Sequence, residues 1–189
     1  MKTKLIVSTL ILAAWVLTAC SQPTVSAPTG GTATPANGCP AETADTQIFT
    51  NDSHGYCASI PSGYSVQYPF PEEVIIQPGS QIDPVDALPR VYIWVAEANG
   101  RTTESFAKEV SAGAEAFNVE QSPITLGGAD AILINNLPGQ DLSHQVVIVR
   151  GELSYRLTFV PLGIDAKTDQ KVEALYALIT QSFSFSSEG

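Results

Sequence analysis

His144-Gln145-Val146-Val147-Ile148-Val149-Arg150-Gly151-Glu152-Leu153-Ser154-Tyr155-Arg156-Leu157-Thr158-Phe159-Val160 holds two β-branched and aromatic runs on either side of Gly151-Glu152. Runs of this composition with a period of two read as strands, and a two-residue break containing Gly reads as a tight hairpin turn. A turn of that length fixes the register. Ile148 pairs with Tyr155, Val146 with Leu157 and His144 with Phe159 on one face. Val149 pairs with Ser154, Val147 with Arg156 and Gln145 with Thr158 on the other. The first face is almost wholly apolar and has to meet a core, because a one-residue slip would turn all of it to solvent. The second face is mixed.

Further strands read outward from this hairpin. Upstream, residues 47–50, 56–60, 64–68, 74–77 and 90–96 are short strand-forming runs. Between them lie turn-rich stretches such as Asn51-Asp52-Ser53-His54-Gly55 and Pro61-Ser62-Gly63. Residues 80–89, with Asp83-Pro84, read as a loop. Residues 124–127 and 130–135 are strands around Gly127-Gly128.

The period changes twice. After Thr103 the apolar residues Phe106, Val110, Ala114 and Phe117 fall on one helical face, which predicts a helix over 103–117. Thr102 or Thr103 can cap it, and Glu104 suits the positive end of its dipole, while Gly113 weakens its last turn. A second helix is predicted over 168–181, with Val172, Leu175, Leu178 and Ile179 buried, after a loop at 161–167. A last short strand follows at 183–185. Residues 39–189 are enough for one domain that buries about 68–70% of its unfolded surface.

The N-terminal residues carry a different signal. Lys2 and Lys4 precede an uncharged apolar run from Leu5 to Leu17, and Thr18-Ala19-Cys20 follows. A basic start, an apolar middle and small residues at the cut are the features of a secretory signal. A cysteine directly after two small residues is the pattern of a bacterial lipoprotein, whose thiol receives a diacylglyceryl group before cleavage. Only 15 residues lie between Lys4 and Cys20, against the roughly 20 that a spanning helix needs. The expectation is a signal peptide over 1–19, lipid on Cys20, and an uncharged Thr/Pro/Ser/Gly linker over 20–38 that cannot form a core. The domain would then sit in the cell envelope, lipid-anchored on the extracytoplasmic face of a membrane. An ordinary secretory signal cut elsewhere is the alternative.

The chain has a formal charge of −10, which becomes −12 once Lys2 and Lys4 leave with the signal. Phosphate backbones repel such a surface, so nucleic acid is not an expected partner. With Cys20 assigned to lipid, Cys39 and Cys57 remain as an even pair in a compartment that permits disulfides, and the reading is a bond between them. The alternative is a reactive Cys57 beside His54, for which no local partner or oxyanion site is evident.

Tyr56-Cys57-Ala58-Ser59-Ile60-Pro61-Ser62-Gly63-Tyr64 resembles the opening of PsbP-like domains. A mid-chain helix, a Gly-Gly strand pair, the hairpin ending in Tyr155-Arg156-Leu157-Thr158-Phe159, a closing helix and Ser182-Phe183-Ser184-Phe185 follow in the same order, over about residues 47–185. The resemblance implies an α+β fold, an α/β/α sandwich around a mostly antiparallel sheet. It also implies a binding or assembly module, often exported, rather than an enzyme. It carries over no catalytic residue and no metal ligand.

The sites are read with that in view. His54 falls in a turn and reads as an exposed polar residue, and His144 reads as a satisfied histidine at a strand end. No catalytic residue, metal set or cofactor motif is identified: HExxH, G-x-S-x-G, P-loop and dinucleotide patterns are all missing. Glu72 and Glu73, adjacent on an extended segment, point to opposite faces. Asp83, Asp86, Asp165 and Asp169 lie in or beside loops and lack the EF-hand spacing for Ca²⁺. The candidate patch is Tyr92, Trp94 and Arg156. If the mixed face of the hairpin coincides with the Tyr92/Trp94 face, an aromatic and cationic surface results that suits a ligand or partner. The more economical arrangement packs both rings under a helix and leaves Arg156 capping the sheet edge.

Three functions remain open. One is a membrane-tethered, non-catalytic binding or assembly module with an unidentified protein or small-molecule partner. The others are an envelope enzyme, of hydrolase type, with dispersed site residues, and a structural envelope lipoprotein.

Overall fold

The computed structural model describes residues 38–79 and 88–186. Cys20, the linker up to residue 37 and most of the 80–89 loop, including Asp83 and Asp86, lie outside the described residues.

The chain order is β1 (Thr46–Asn51), β2 (Tyr56–Pro61), β3 (Tyr64–Phe70), β4 (Glu73–Pro78), β5 (Arg90–Glu97), α1 (Thr103–Val110), β6 (Glu120–Leu126), β7 (Ala129–Leu137), β8 (Leu142–Arg150), β9 (Leu153–Leu162), α2 (Ala166–Ser182) and β10 (Ser184–Phe185). Seven strands form the main sheet in the order β3-β4-β5-β9-β8-β7-β6, and β1-β2-β10 form a separate three-stranded sheet. The pairs within both sheets are antiparallel. The fold is α+β.

The β8–β9 hairpin has the register its two-residue turn demands: Ile148 opposite Tyr155, Val146 opposite Leu157, His144 opposite Phe159. Its apolar face belongs to the main core. Val74, Ile93, Leu157, Val146 and Leu133 lie abreast across five strands, each the register partner of the next. The first four are buried. Helix α2 covers this face with Val172, Leu175 and Ile179, and the small sheet adds Phe49, Tyr56, Ala58 and Ile60. Tyr56 stacks on Phe183 at 5.2 Å and meets Tyr155 edge-on at 6.0 Å, which ties the small sheet to the large one.

Helix α1 lies on the opposite face, where Phe106 and Ala107 pack with Ile134, Leu137 and Val147. Thr102 and Ser105 cap it reciprocally: Ser105 N donates to Thr102 Oγ1 at 3.2 Å, and Thr102 N to Ser105 Oγ at 2.9 Å. The Val149 amide donates to Thr103 Oγ1 at 3.1 Å and fastens the cap to β8.

Four element expectations need correction. Helix α1 stops at Val110 rather than 117: Ser111 is its C-cap, and Gly113 turns the chain at φ +82°. Ala114 is still buried, but Phe117 is 54% exposed, because the turns after the helix lose its period. Strand β6 begins at Glu120, ahead of the expected 124, and holds Pro123, which an edge strand tolerates. Strand β9 continues through Leu162, and α2 starts at Ala166 rather than 168 because Asp165 caps it. The final strand, for which the sequence names no partner, pairs with β2 in the small sheet.

Cys39 and Cys57 are joined by a disulfide, with Cα atoms 5.8 Å apart. Cys57 is fully buried in β2, between Thr50 of β1 and Ser184 of β10. The bond therefore fastens the start of the domain to the middle strand of the small sheet, and a free, reactive Cys57 is not what the structure contains.

Candidate functional site

An α-helix rises about 1.5 Å per residue, so the eight residues of α1 span about 12 Å. Six gaps between seven strands span about 29 Å at about 4.8 Å each. One short helix cannot cover such a face. It covers the β7–β8 side, over Ile134 and Val147, and leaves the β4-β5-β9 side open.

Strand parity decides what stands there. Glu73 of β4, Trp94 of β5, Arg156 of β9 and Val147 of β8 form one row of register partners across the sheet. Ile75, Tyr92, Thr158, Gln145 and Ile134 form the next. Directly opposed residues of an antiparallel ladder have Cβ atoms about 4.5–5.5 Å apart on the same face. The rows run from the open side, through Arg156 and Thr158, into the residues under α1. The open part is a groove of about 340 Å³, lined by Glu73, Arg90, Tyr92, Trp94, Gln145, Arg156 and Thr158, with the 138–141 turn as one wall.

The faces carrying Tyr92, Trp94 and Arg156 thus coincide, and the arrangement that seemed more economical from sequence is not the one formed. Both rings are half-buried in the groove, not under a helix. Arg156 is in β9, which has β5 on one side and β8 on the other, so it caps no edge.

The polar groups of the groove are incompletely satisfied. Among the described residues Arg156 has no ion pair and no side-chain hydrogen bond. Burial pushes its guanidinium below the usual arginine range, and the charges of Glu73 and Glu109 oppose that shift. Arg90 lies over the Tyr92 ring, 5.8 Å from its centre, and its Nε is buried without a partner. The Gln145 amide donates from Nε2 to Ser143 Oγ at 3.1 Å, but its Oε1 is buried and unpartnered. Ser143 in turn donates to the Leu137 carbonyl at 3.2 Å. Leaving a buried polar group unpaired costs about 1–3 kcal/mol, and Arg90 Nε and Gln145 Oε1 bear that cost beneath the groove surface. Gln145 and Thr158 share the hairpin's mixed face with Arg156 in the sequence, but joining them with Arg90 to one site requires knowing that β5 pairs with β9. Their signal was strand parity: Arg90, Tyr92 and Trp94 alternate, as do Arg156 and Thr158.

The other singled-out residues lie elsewhere. Glu73 lines the groove, while Glu72 is exposed outside it. His54 is half-buried rather than exposed: its carbonyl accepts from the Tyr155 hydroxyl at 3.1 Å, and its Nδ1 is buried without a partner. His144 sits within an interior strand, not at the sheet edge, and is only half satisfied: its Nε2 is 2.6 Å from Glu173 Oε1 of α2, but its Nδ1 is buried without a partner among the described residues. Asp165 caps α2 through the Lys167 and Thr168 amides, and Asp169 accepts from the Gly163 amide at 2.8 Å. Both of these aspartates are engaged with backbone.

No family model and no curated protein matches the chain. Among solved structures it is similar to cyanobacterial PsbP (CyanoP) from Synechocystis sp. PCC 6803. The identity is 14% and the TM-score 0.47, over 76% of this chain and 94% of that one. It is also similar to a crystal structure from Bacteroides thetaiotaomicron VPI-5482, with 14% identity and a TM-score of 0.42, over 77% of this chain and 50% of that one. The chain therefore spans only half the length of the Bacteroides protein. Neither likeness bears on what the chain binds or does.

Proposed function

We propose that this chain is an extracytoplasmic lipoprotein, held to a membrane through lipid on Cys20, whose PsbP-like domain is a non-catalytic binding or assembly module. The groove on the open face of the main sheet is its binding surface. The observation that carries this reading is the register pair Trp94–Arg156, an aromatic ring beside a guanidinium with no partner among the described residues, on a concave face that α1 leaves uncovered. Aromatic rings with a few convergent polar groups are the usual lining of a ligand site. The groove supplies two guanidinium groups (Arg90, Arg156), two carboxylates (Glu73, Asp141), amides, hydroxyls and rings. Of its hydroxyls, Ser143 is bonded to a backbone carbonyl. That is chemistry for recognition. The anchor reading is supported by the basic, apolar and small-residue order that ends at Cys20, and by a disulfide, a bond typical of oxidising compartments.

Two measurements test the proposal. Mass spectrometry of the protein extracted from membranes is expected to find acylated Cys20 as the first residue. A Cys20→Ala chain that remained fully membrane-bound would refute the anchor. A thermal-shift screen of the mature chain in detergent, against metals, saccharides, amino acids and lipids, tests the groove. A ligand that binds only the folded state raises its midpoint, and the rise is expected to vanish in Trp94→Ala. Turnover of any screened compound would favour the enzyme reading instead.

A further inference from the structure

Resting on the reading of the groove as a binding surface, the geometry points to an acidic sugar, a hexuronate residue alone or within a polysaccharide, as the ligand class.

Four features of the groove carry this. First, Arg156 is unpaired among the described residues and half-buried, and a guanidinium fork recognises a carboxylate bidentately. Second, the same groove holds Glu73 and Asp141, so its formal charge is balanced by Arg90 and Arg156. A ligand that is only an anion would leave those two carboxylates facing it with nothing to accept. Hydroxyl groups supply the donors. Third, Tyr92, Gln145 and Thr158 line the groove beside the arginines, and their hydroxyl and amide groups can exchange hydrogen bonds with sugar hydroxyls. Fourth, Tyr92 and Trp94 offer ring surface on an open trough rather than in a closed cavity. The apolar C–H face of a pyranose can lie on such a ring while its outer hydroxyls stay in water. An aromatic acid would leave Glu73 and Asp141 unmatched. A free amino acid with a large apolar side chain, such as phenylalanine, would match the charges but would leave part of that side chain facing solvent in an open trough. About 340 Å³ is at the small end of ligand sites, in keeping with recognition of one or two sugar rings.

The sequence supplies a direct probe. The chain has two tryptophans, Trp15 and Trp94, and once residues 1–19 are removed Trp94, in the groove, is the one tryptophan left, so excitation beyond the tyrosine absorption band reports on it alone. The mature chain in detergent is titrated with D-glucuronate, with D-glucose as its neutral twin, and with acetate and phenylalanine. D-Glucuronate is expected to change Trp94 emission saturably and at least tenfold more tightly than D-glucose. Arg156→Gln is expected to weaken D-glucuronate at least tenfold and to remove most of its preference over D-glucose, with Arg156→Lys intermediate. An unchanged melting midpoint shows that both variants are folded.

Equal binding of D-glucose and D-glucuronate, insensitive to Arg156→Gln, would overturn the acidic part of the assignment. A response to phenylalanine or acetate that matches or exceeds the one to D-glucuronate would overturn the sugar part. No response to either sugar, alongside Trp94-dependent stabilisation by another compound in the thermal screen, would overturn this inference and leave the groove as a binding surface. Silence in both experiments would remove both.

Discussion

Trp94 of β5 and Arg156 of β9 stand opposite one another in the ladder of the main sheet, on the side of it that α1 does not reach. The residue before Trp94 faces the other way. Ile93 is fully buried beneath α2, in register with Leu157. Neighbours in one strand therefore separate stability from recognition.

That separation is measurable. Ile93→Ala is expected to cost about 2–5 kcal/mol, the range for emptying a packed site. Trp94→Ala removes a half-buried ring from an open face and is expected to cost no more than about 1 kcal/mol. Urea unfolding of the two variants beside the parent chain decides it. A Trp94→Ala chain that failed to fold would show the ring to be core, as a helix-covered arrangement requires.

The same strand shows how far sequence reading reaches. Alternation along 90–96 told which residues share a face, and the Gly151-Glu152 turn set the hairpin pairs from Arg150–Leu153 out to His144–Phe159, beyond which a bulge shifts the register. Both signals are local and follow from a period of two and a turn length. The pairing of β5 with β9 spans some sixty residues of chain, and no periodicity encodes it. The groove depends on that pairing and on α1 ending at Val110, where Ser111 and Gly113 outweighed an apolar spacing that continued to Phe117. Hence Tyr92, Trp94 and Arg156 were legible as candidates, whereas their union in one groove with Arg90 and Gln145 was not. The small sheet was hidden for a similar reason: β10 is two residues long and is placed by contact with β2.

Closing the 18-residue separation between Cys39 and Cys57 is worth about 3 kcal/mol in the chain-entropy view. A Cys39→Ser chain is expected to lose about 2–4 kcal/mol in denaturant unfolding. It is expected to keep the main-sheet core, since the bond restrains only the approach to β2. Unchanged stability after reduction would show that the loop is already ordered without the bond.

The β6–β7 turn offers a paired glycine test. Gly127 and Gly128 have φ of +57° and +80°, a conformation L side chains rarely adopt. A Cβ on Gly128 would meet nothing within 4 Å, whereas one on Gly127 would lie 2.7 Å from the Phe185 ring. That ring packs against Tyr155 at 5.2 Å and carries the Arg150 guanidinium at 4.4 Å, so it is not free to move aside. Gly128→Ala is expected to cost about 1 kcal/mol from backbone strain alone. Gly127→Ala adds overpacking of about 1–3 kcal/mol. Equal melting temperatures for the two variants would contradict the contact.

The cap of α2 makes stability depend on acidity. Asp165 accepts from the Thr168 and Lys167 amides and from the Thr168 hydroxyl, each at 2.9 Å. The Thr168 amide is the largest influence holding its carboxyl below the usual aspartate range. A carboxyl whose pKa is lowered by folding stabilises the fold fully above its unfolded pKa, about 3.9. That contribution disappears as pH falls through the lower, folded value. Asp165→Ala is therefore expected to lower the thermal midpoint at pH 7, with the gap to the parent chain narrowing as pH drops below about 4. Asp165→Asn, which keeps a capping oxygen without a charge to titrate, is expected to lose less at pH 7 and to show a flatter profile. Melting the three chains from pH 7 down to pH 3 tests both points, and an Asp165→Ala gap that stayed constant across the range would show that the charge of Asp165 does not hold the helix start.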